Sequence, residues 1–454
     1  MFLDCTHLLA ETPAYPSFGA AVCDIDGDGA FEIIVTGHGA PNRALKWNKG
    51  RLVNCTPTPL TDPSGFALAV AAADIDGDGR EELYIVNGEK DSNIRKQSDR
   101  LFASFGQRWL DLLAQPENNK VVSPYVGRTV ACLDRFGRGR YGFAVANNRA
   151  PITLYELDAH GQLSDVSEDA GIDLIAVGSA CAALPLISDH MDLFVSNEHG
   201  PNFLFRNLGD GTFEDVAERW PLADARQAGR GIAVVDAPYD GRFALLCGNW
   251  EGSHRLFTQR GGSFIDIAPS DLSLPSRVNA VIAADFDNDG YEELFFHNFG
   301  QPNRLFGWRH DQWQEIEIGD AAEPRNHGVG AVACDIDGDG RLELLLCHNE
   351  STSHSVSVYR TPQNNNAWVR VMPLTAAGAP ARGAIVTCIA GGRTQRRAIC
   401  AGGGYLSQME PTAHFGLGHV TNVEKIVIFW PNGTEVVIND PPVGRVLTVP
   451  YPPE

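Results

Sequence analysis

The stretch GAVACDIDGDGRLELLLCHN, residues 330–349, decides the fold. An apolar run leads into three aspartates at alternate positions; a glycine takes the sixth place, a glutamate the ninth, and a second apolar run follows. Apolar runs on both sides of a tight polar loop predict two antiparallel strands. The pattern returns as AVAAADIDGDGREELYIVNG at 69–88, and the six-residue core Asp-x-Asp-x-Asp-Gly also begins at Asp24 and Asp285. Degenerate copies fill the gap and place Asp134, Ala183 and Asp236 in register, so that successive register positions lie 49 to 60 residues apart. A fixed period of this size marks a repeat architecture, here seven units of about 50 residues.

A second phrase follows in most units: GAPNRALKW at 39–47, GPNFLFRN at 200–207, GSHRLFTQ at 252–259 and GQPNRLFGW at 300–308, each ahead of a short alternating run. Every unit therefore supplies four short strands, which predicts an all-β, seven-bladed β-propeller. The seventh unit stops one strand short, and the N-terminal FLDCT matches the outer-strand phrase LSDVSEDA at 163–170, so the N-terminal strand is expected to close blade seven. Such closure removes exposed sheet edges. The propeller is assigned residues 1–362. Residues 363–454 lose the repeat and read as seven short strands of a β-sandwich or barrel.

The propeller repeats resemble FG-GAP/VCBS-type calcium repeats. The tail, through NNNAWVRV at 364–371, GGRTQRRAICAGGGYLSQMEPTAHFGLG at 391–418 and VEKIVIFWPNGTE at 423–435, resembles the ASPIC/UnbV domain. Together they are similar to the cartilage acidic protein 1 family, in its bacterial form.

Three carboxylates at alternate positions of a tight loop converge on one point, and hard oxygen donors select calcium. An EF-hand is excluded, because its position-twelve acid is replaced by Val35, Ile85, Phe296 and Leu346. The expected ligands at positions one, three, five, seven (a backbone carbonyl) and nine are Asp24, Asp26, Asp28, Ala30 and Glu32 in blade one, and Asp74, Asp76, Asp78, Arg80 and Glu82 in blade two. In blade six they are Asp285, Asp287, Asp289, Tyr291 and Glu293, and in blade seven Asp335, Asp337, Asp339, Arg341 and Glu343. About four Ca²⁺ sites follow, in neighbouring blades of the ring.

With 36 basic against 57 acidic residues and a net charge of −21, the chain is not expected to grip nucleic acid. No apolar run reaches the length of a membrane helix, so no membrane insertion is expected. The start of the sequence does not read as a signal peptide, which predicts a cytoplasmic protein, or an extracellular one if a leader has been removed. The ten cysteines fall largely on inferred strands of different blades, which predicts free buried thiols.

Calcium on one face sends the loops between blades to the other. Those loops carry Tyr125, Arg128, Arg226, Arg230, Arg277, Arg325 and His327, and a neighbouring turn carries His348. Such a rim suits an anionic or carbohydrate-like ligand. Partners of that description are a small molecule, a glycan or a protein. No catalytic motif is present. The leading expectation is a calcium-binding interaction module; the alternative is a calcium-dependent enzyme of specialised metabolism, a cyclase, lyase or alkylating enzyme, with its site on this face or at the domain junction.

Overall fold

The computed structural model describes residues 1–88, 97–106, 108–158, 160–237, 241–324, 327–349 and 355–453. Blade one shows how each repeat folds. Ala20–Cys23 pairs antiparallel with Glu32–Val35, which pairs with Arg43–Asn48 and then Arg51–Asn54. The first two strands are buried on both faces, so they read as continuous apolar runs rather than alternating ones.

Among the described residues, seven such four-stranded units make up the repeat region, those of blades three and four being joined in one larger sheet through Gly142–Pro151 and Ile175–Leu184. Their innermost strands pack on one another in chain order, and Gly328–Cys334 of blade seven returns to Ala20–Cys23 of blade one. The ring is thus a closed β-propeller. Blade seven takes its outermost strand from Leu3–Asp4, which pairs with Val356–Arg360, while Phe2 inserts edge-on against Phe286 at 4.9 Å.

All seven runs of the tail form strands. Ala413–Gly418, Ala367–Pro373 and Val446–Val449 make one sheet; Arg393–Ala398, Ile385–Ala390, Lys425–Phe429 and Glu435–Asn439 make the other. The two enclose a separate apolar core around Val369, Val386, Phe415 and Ile428.

The tail sits on the face that carries the aspartate loops. Fully buried Arg382 donates to Glu81 Oε1 at 2.5 Å and to Val22 O at 3.1 Å, and Gly416 N donates to Asp285 Oδ2 at 3.0 Å. Gly340 has φ +83°, and a Cβ there would strike the Trp368 ring.

From this cap the glycine-rich segment 401–409 runs into the central channel. Innermost strands turn one edge toward the axis, and an unpaired edge carries buried N–H and C=O groups that must be bonded. Ala401 O accepts from Cys132 N at 2.8 Å, Gly404 exchanges two bonds with Ile232, and Gln408 N donates to Ala20 O at 2.8 Å. The Gln408 side chain bonds both N and O of Ala72, at 2.7 and 3.2 Å. The tail therefore plugs the propeller axis.

Among the described residues no helix is long and apolar enough to cross a membrane, and all ten cysteines are free.

Candidate functional site

In all four aspartate loops the chain folds the same way. The position-one carboxylate accepts the N–H of the sixth-position glycine, at 2.8 Å for Gly29 to Asp24, 3.0 Å for Gly79 to Asp74, 2.9 Å for Gly290 to Asp285 and 3.0 Å for Gly340 to Asp335. Those glycines have φ between +83° and +90°, where a side chain is strained, which explains their place in the motif. The ninth-position glutamate lies completely buried beneath each loop and accepts the position-two N–H through Oε2.

One oxygen each from positions three, five and nine is left facing the loop's centre, and what stands there differs between blades. In blade one it is the ammonium of Lys46, 2.6 Å from Asp26 Oδ2, 2.9 Å from Asp28 Oδ2 and 2.7 Å from Glu32 Oε1. Lys46 is the cross-strand partner of Glu32 on the blade's third strand. In blade seven the corresponding residue is Arg360, which takes Asp337 and Glu343, both at 2.6 Å, while Arg341 pairs with Asp339 and the tail's Arg370 holds Asp335 at 2.9 Å. In blade six the corresponding residue is Gly307, and Arg309, two residues on, reaches Asp287, Asp289 and Glu293 at 3.1 to 3.3 Å.

Blade two differs. Leu83 pairs with Phe102, so Ala103 faces Glu82, and among the described residues no cation pairs with Asp74, Asp76, Asp78 or Glu82. Burial, with the charges of Asp76, Asp74 and Asp78 added, pushes the Glu82 carboxyl up to about 9; Asp74 rises to about 6 for the same reasons. Glu82 Oε1 is buried and without a hydrogen-bond partner.

These residues fit a hard cation: several oxygens of Asp74, Asp76 and Asp78 lie within 4.8 Å of one another, with a buried, unbonded carboxylate oxygen at the base. In the other three loops an ion would have to displace a side chain of the protein's own. Lys46, Arg309, Arg360 and Arg370 were not among the residues singled out in the sequence; a basic residue on the third strand opposite the ninth position is the signal that finds the first and third of them.

On the opposite face some of the expected rim residues are already engaged by other side chains. Arg128 and Arg230 are buried, and both pair with Glu198, Arg128 at 2.6 Å. Arg230 also donates to the Tyr405 hydroxyl at 3.0 Å, so the plug spans the channel and its tip reaches this face. Arg277 is half-exposed and pairs with Glu251 at 2.8 Å. Arg226 is exposed, and Tyr125, 42% exposed, lines a shallow cleft with Lys120, Thr153 and Asp165. His327 stacks on Phe299 at 4.4 Å, and His348 is buried near Glu323. Arg325 lies outside the described residues. Among the described rim residues, Arg128 and Arg230 thus meet at Glu198, while Arg277 pairs separately with Glu251.

At the junction of ring and tail lies a cavity of about 120 Å³ lined by Asp236, Glu292, Arg397, Gly403 and His414. Arg397 stands 3.7 Å from Asp236 and 3.4 Å from Glu292, so its charge is shared between two buried acids.

Residues 375–454 match the family model described as ASPIC and UnbV, and residues 24–85 and 239–296 match an FG-GAP-like repeat. Cartilage acidic protein 1 of Xenopus tropicalis is 41% identical over 486 residues, covering 98% of this chain and 75% of the relative. The Homo sapiens protein is 41% identical over 484 residues, covering 97% and 73%. The chain belongs to the cartilage acidic protein 1 family. In fold it is also similar to the BP39L lectin from Burkholderia pseudomallei (14% identical, TM-score 0.52, 77% of this chain and 99% of that one) and to BBS1N in complex with ARL6DN (11%, 0.51, 80% and 98%). At such identities the likeness concerns the fold alone.

Proposed function

We propose that this chain is a calcium-binding β-propeller that serves as a binding module, with blade two as its strongest ion site. The observation that carries this is the blade-two loop: Asp74, Asp76 and Asp78 gathered around one point above buried Glu82, with no cation among the described residues paired to them, and with Glu82 driven toward its proton by burial and its neighbours. A bound divalent ion neutralises that repulsion; the chain's part is to hold Asp74, Asp76, Asp78 and Glu82 in register around it. The loop packs against Ala377 of the tail, so an ordered loop also supports the cap.

Calorimetric titration of the chelator-stripped chain tests this. The tightest calcium equivalent should disappear in Asp76→Asn and persist in Asp236→Ala. Retention of that equivalent by the folded Asp76→Asn protein would move the site. For the binding function, the face away from the tail offers Arg226, Arg277 and Tyr125 to an anionic or carbohydrate-like partner. A hit from a glycan array that includes sulfated sugars should weaken at least tenfold, about 1.4 kcal/mol, in the double variant Arg226→Met with Arg277→Met.

The enzyme reading has one observation in its favour, the junction cavity with its paired Asp236, Arg397 and Glu292. Buried acids beside a cavity are where a general acid or base is placed.

A further inference from the structure

Between blades six and seven, away from the aspartate loops, lies a second cluster of metal-ligating side chains. His297 comes from the second strand of blade six, Glu293–Asn298, and His348 closes the second strand of blade seven, Glu343–His348. Glu323 follows the short turn Asp320–Ala322 that leads from one blade to the next. All three are buried, and His297 is completely so.

Their separations are the informative feature. His297 Nε2 lies 3.8 Å from Glu323 Oε2, and His348 Nε2 lies 3.5 Å from Glu323 Oε1. The two imidazole rings stand 5.8 Å apart, nearly perpendicular. These gaps are too long for good hydrogen bonds. Both ring nitrogens of His297 and Oε2 of Glu323 are buried with no hydrogen-bond partner, a costly arrangement that calls for a missing occupant. One ligand atom from each of the three residues lies within 4.8 Å of the others, and metal–ligand bonds of about 2.0–2.1 Å would draw such atoms to roughly 3.4 Å apart. The His297 ring packs directly over Gly328, where a Cβ would stand 2.4 Å from it.

We propose that His297, His348 and Glu323 bind a divalent transition metal of the zinc class, which ties blade six to blade seven. Two imidazoles and one carboxylate are borderline donors, suited to zinc rather than to calcium, which takes six or more oxygens. The Tyr359 hydroxyl donates to Glu323 Oε1, an outer contact of the kind that orients a ligating carboxylate. Ser357 Oγ lies 2.9 Å from His348 Nε2, a contact that metal binding replaces, leaving the hydroxyl beside the ion as a further oxygen. Burial of every ligand makes this a closed, structural site.

The test uses the full chain, stripped of metal and returned to buffer with excess calcium so that the loops are saturated. Zinc added to it should remain at one equivalent through gel filtration, measured by elemental analysis. Cobalt in its place should give the visible absorption of a low-coordinate nitrogen and oxygen site. Glu323→Gln and, separately, His297→Phe should each lower zinc affinity at least about tenfold, while Asp76→Asn should keep it. If His297→Phe does not fold, the near-isosteric Glu323→Gln decides. Less than one retained equivalent in the parent, or unchanged zinc affinity in either folded variant, would overturn the site.

Discussion

Lys46 and Ala103 occupy equivalent places in blades one and two, and that single difference sets what each loop asks of an ion. The Lys46 ammonium holds three carboxylate oxygens of blade one, whereas the blade-two oxygens meet no cation among the described residues. Lys46→Ala should therefore tighten or add a calcium equivalent, and Ala103→Lys should remove the tightest one; calorimetry of both variants checks the exchange. His254 supports a second prediction. In blades one, four and six the asparagine of the GPN-type phrase accepts a turn N–H, as Asn42 does from Gly37, Asn202 from Asn197 and Asn303 from Asn298. In blade five His254 Nδ1 does the same for Asn249 N at 3.0 Å. Burial lowers this imidazole from 6.5 to about 3. The unfolded chain then takes up the proton first, so the stability this group contributes is present above pH 6.5 and is lost as pH falls toward 3, at about 1.4 kcal/mol per pH unit. His254→Asn keeps an acceptor and removes the titration. Relative to its own value at pH 7, the variant should lose less stability by pH 4 than the parent, by up to about 3 kcal/mol, in urea melts at the two pH values.

Among the elements, the plug segment 401–409 has the most consequences for its length. Its glycines have separate reasons: a Cβ on Gly402 would stand 2.6 Å from that of Ala131 and 2.7 Å from Cys181 O, while Gly403 and Gly404 take positive φ. Within it the Gln408 side chain acts as a strand partner for Ala72. Gln408→Ala leaves a buried N–H and C=O unbonded and should cost about 2 kcal/mol or more of unfolding free energy, measured by denaturant titration. A change under about 0.5 kcal/mol would mean that water replaces the amide. The seven tail strands were legible because alternating and apolar runs are local features. The plug was not: GGGYLSQ reads equally well as a packing turn, since the groups that need it sit on blades hundreds of residues away.

For the whole molecule, ring and cap unfold together if the plug and the buried Arg382 and Arg370 contacts couple them. Thermal scans should show one transition, and on the proposed calcium reading it is raised by calcium and lowered by EGTA, since an ion held only by folded loops stabilises the folded chain. Two separated transitions would show that the tail is an independent unit. The repeat, the strand pairs and the acidic loops belong to the sequence alone, because hydrophobic period, loop glycines and carboxylate spacing act over a few neighbouring residues. Membership of each residue in a charge network belongs to the tertiary structure. Arg128 and Arg230 looked available for a ligand until Glu198 of another turn was placed between them, and the aspartate loops looked equal until Lys46, Arg309 and Arg360 were brought across their blades. Coulomb energy depends on distance in space, and in a closed ring that distance is set by which blades become neighbours and by which strand faces which, a matter no local stretch of sequence records.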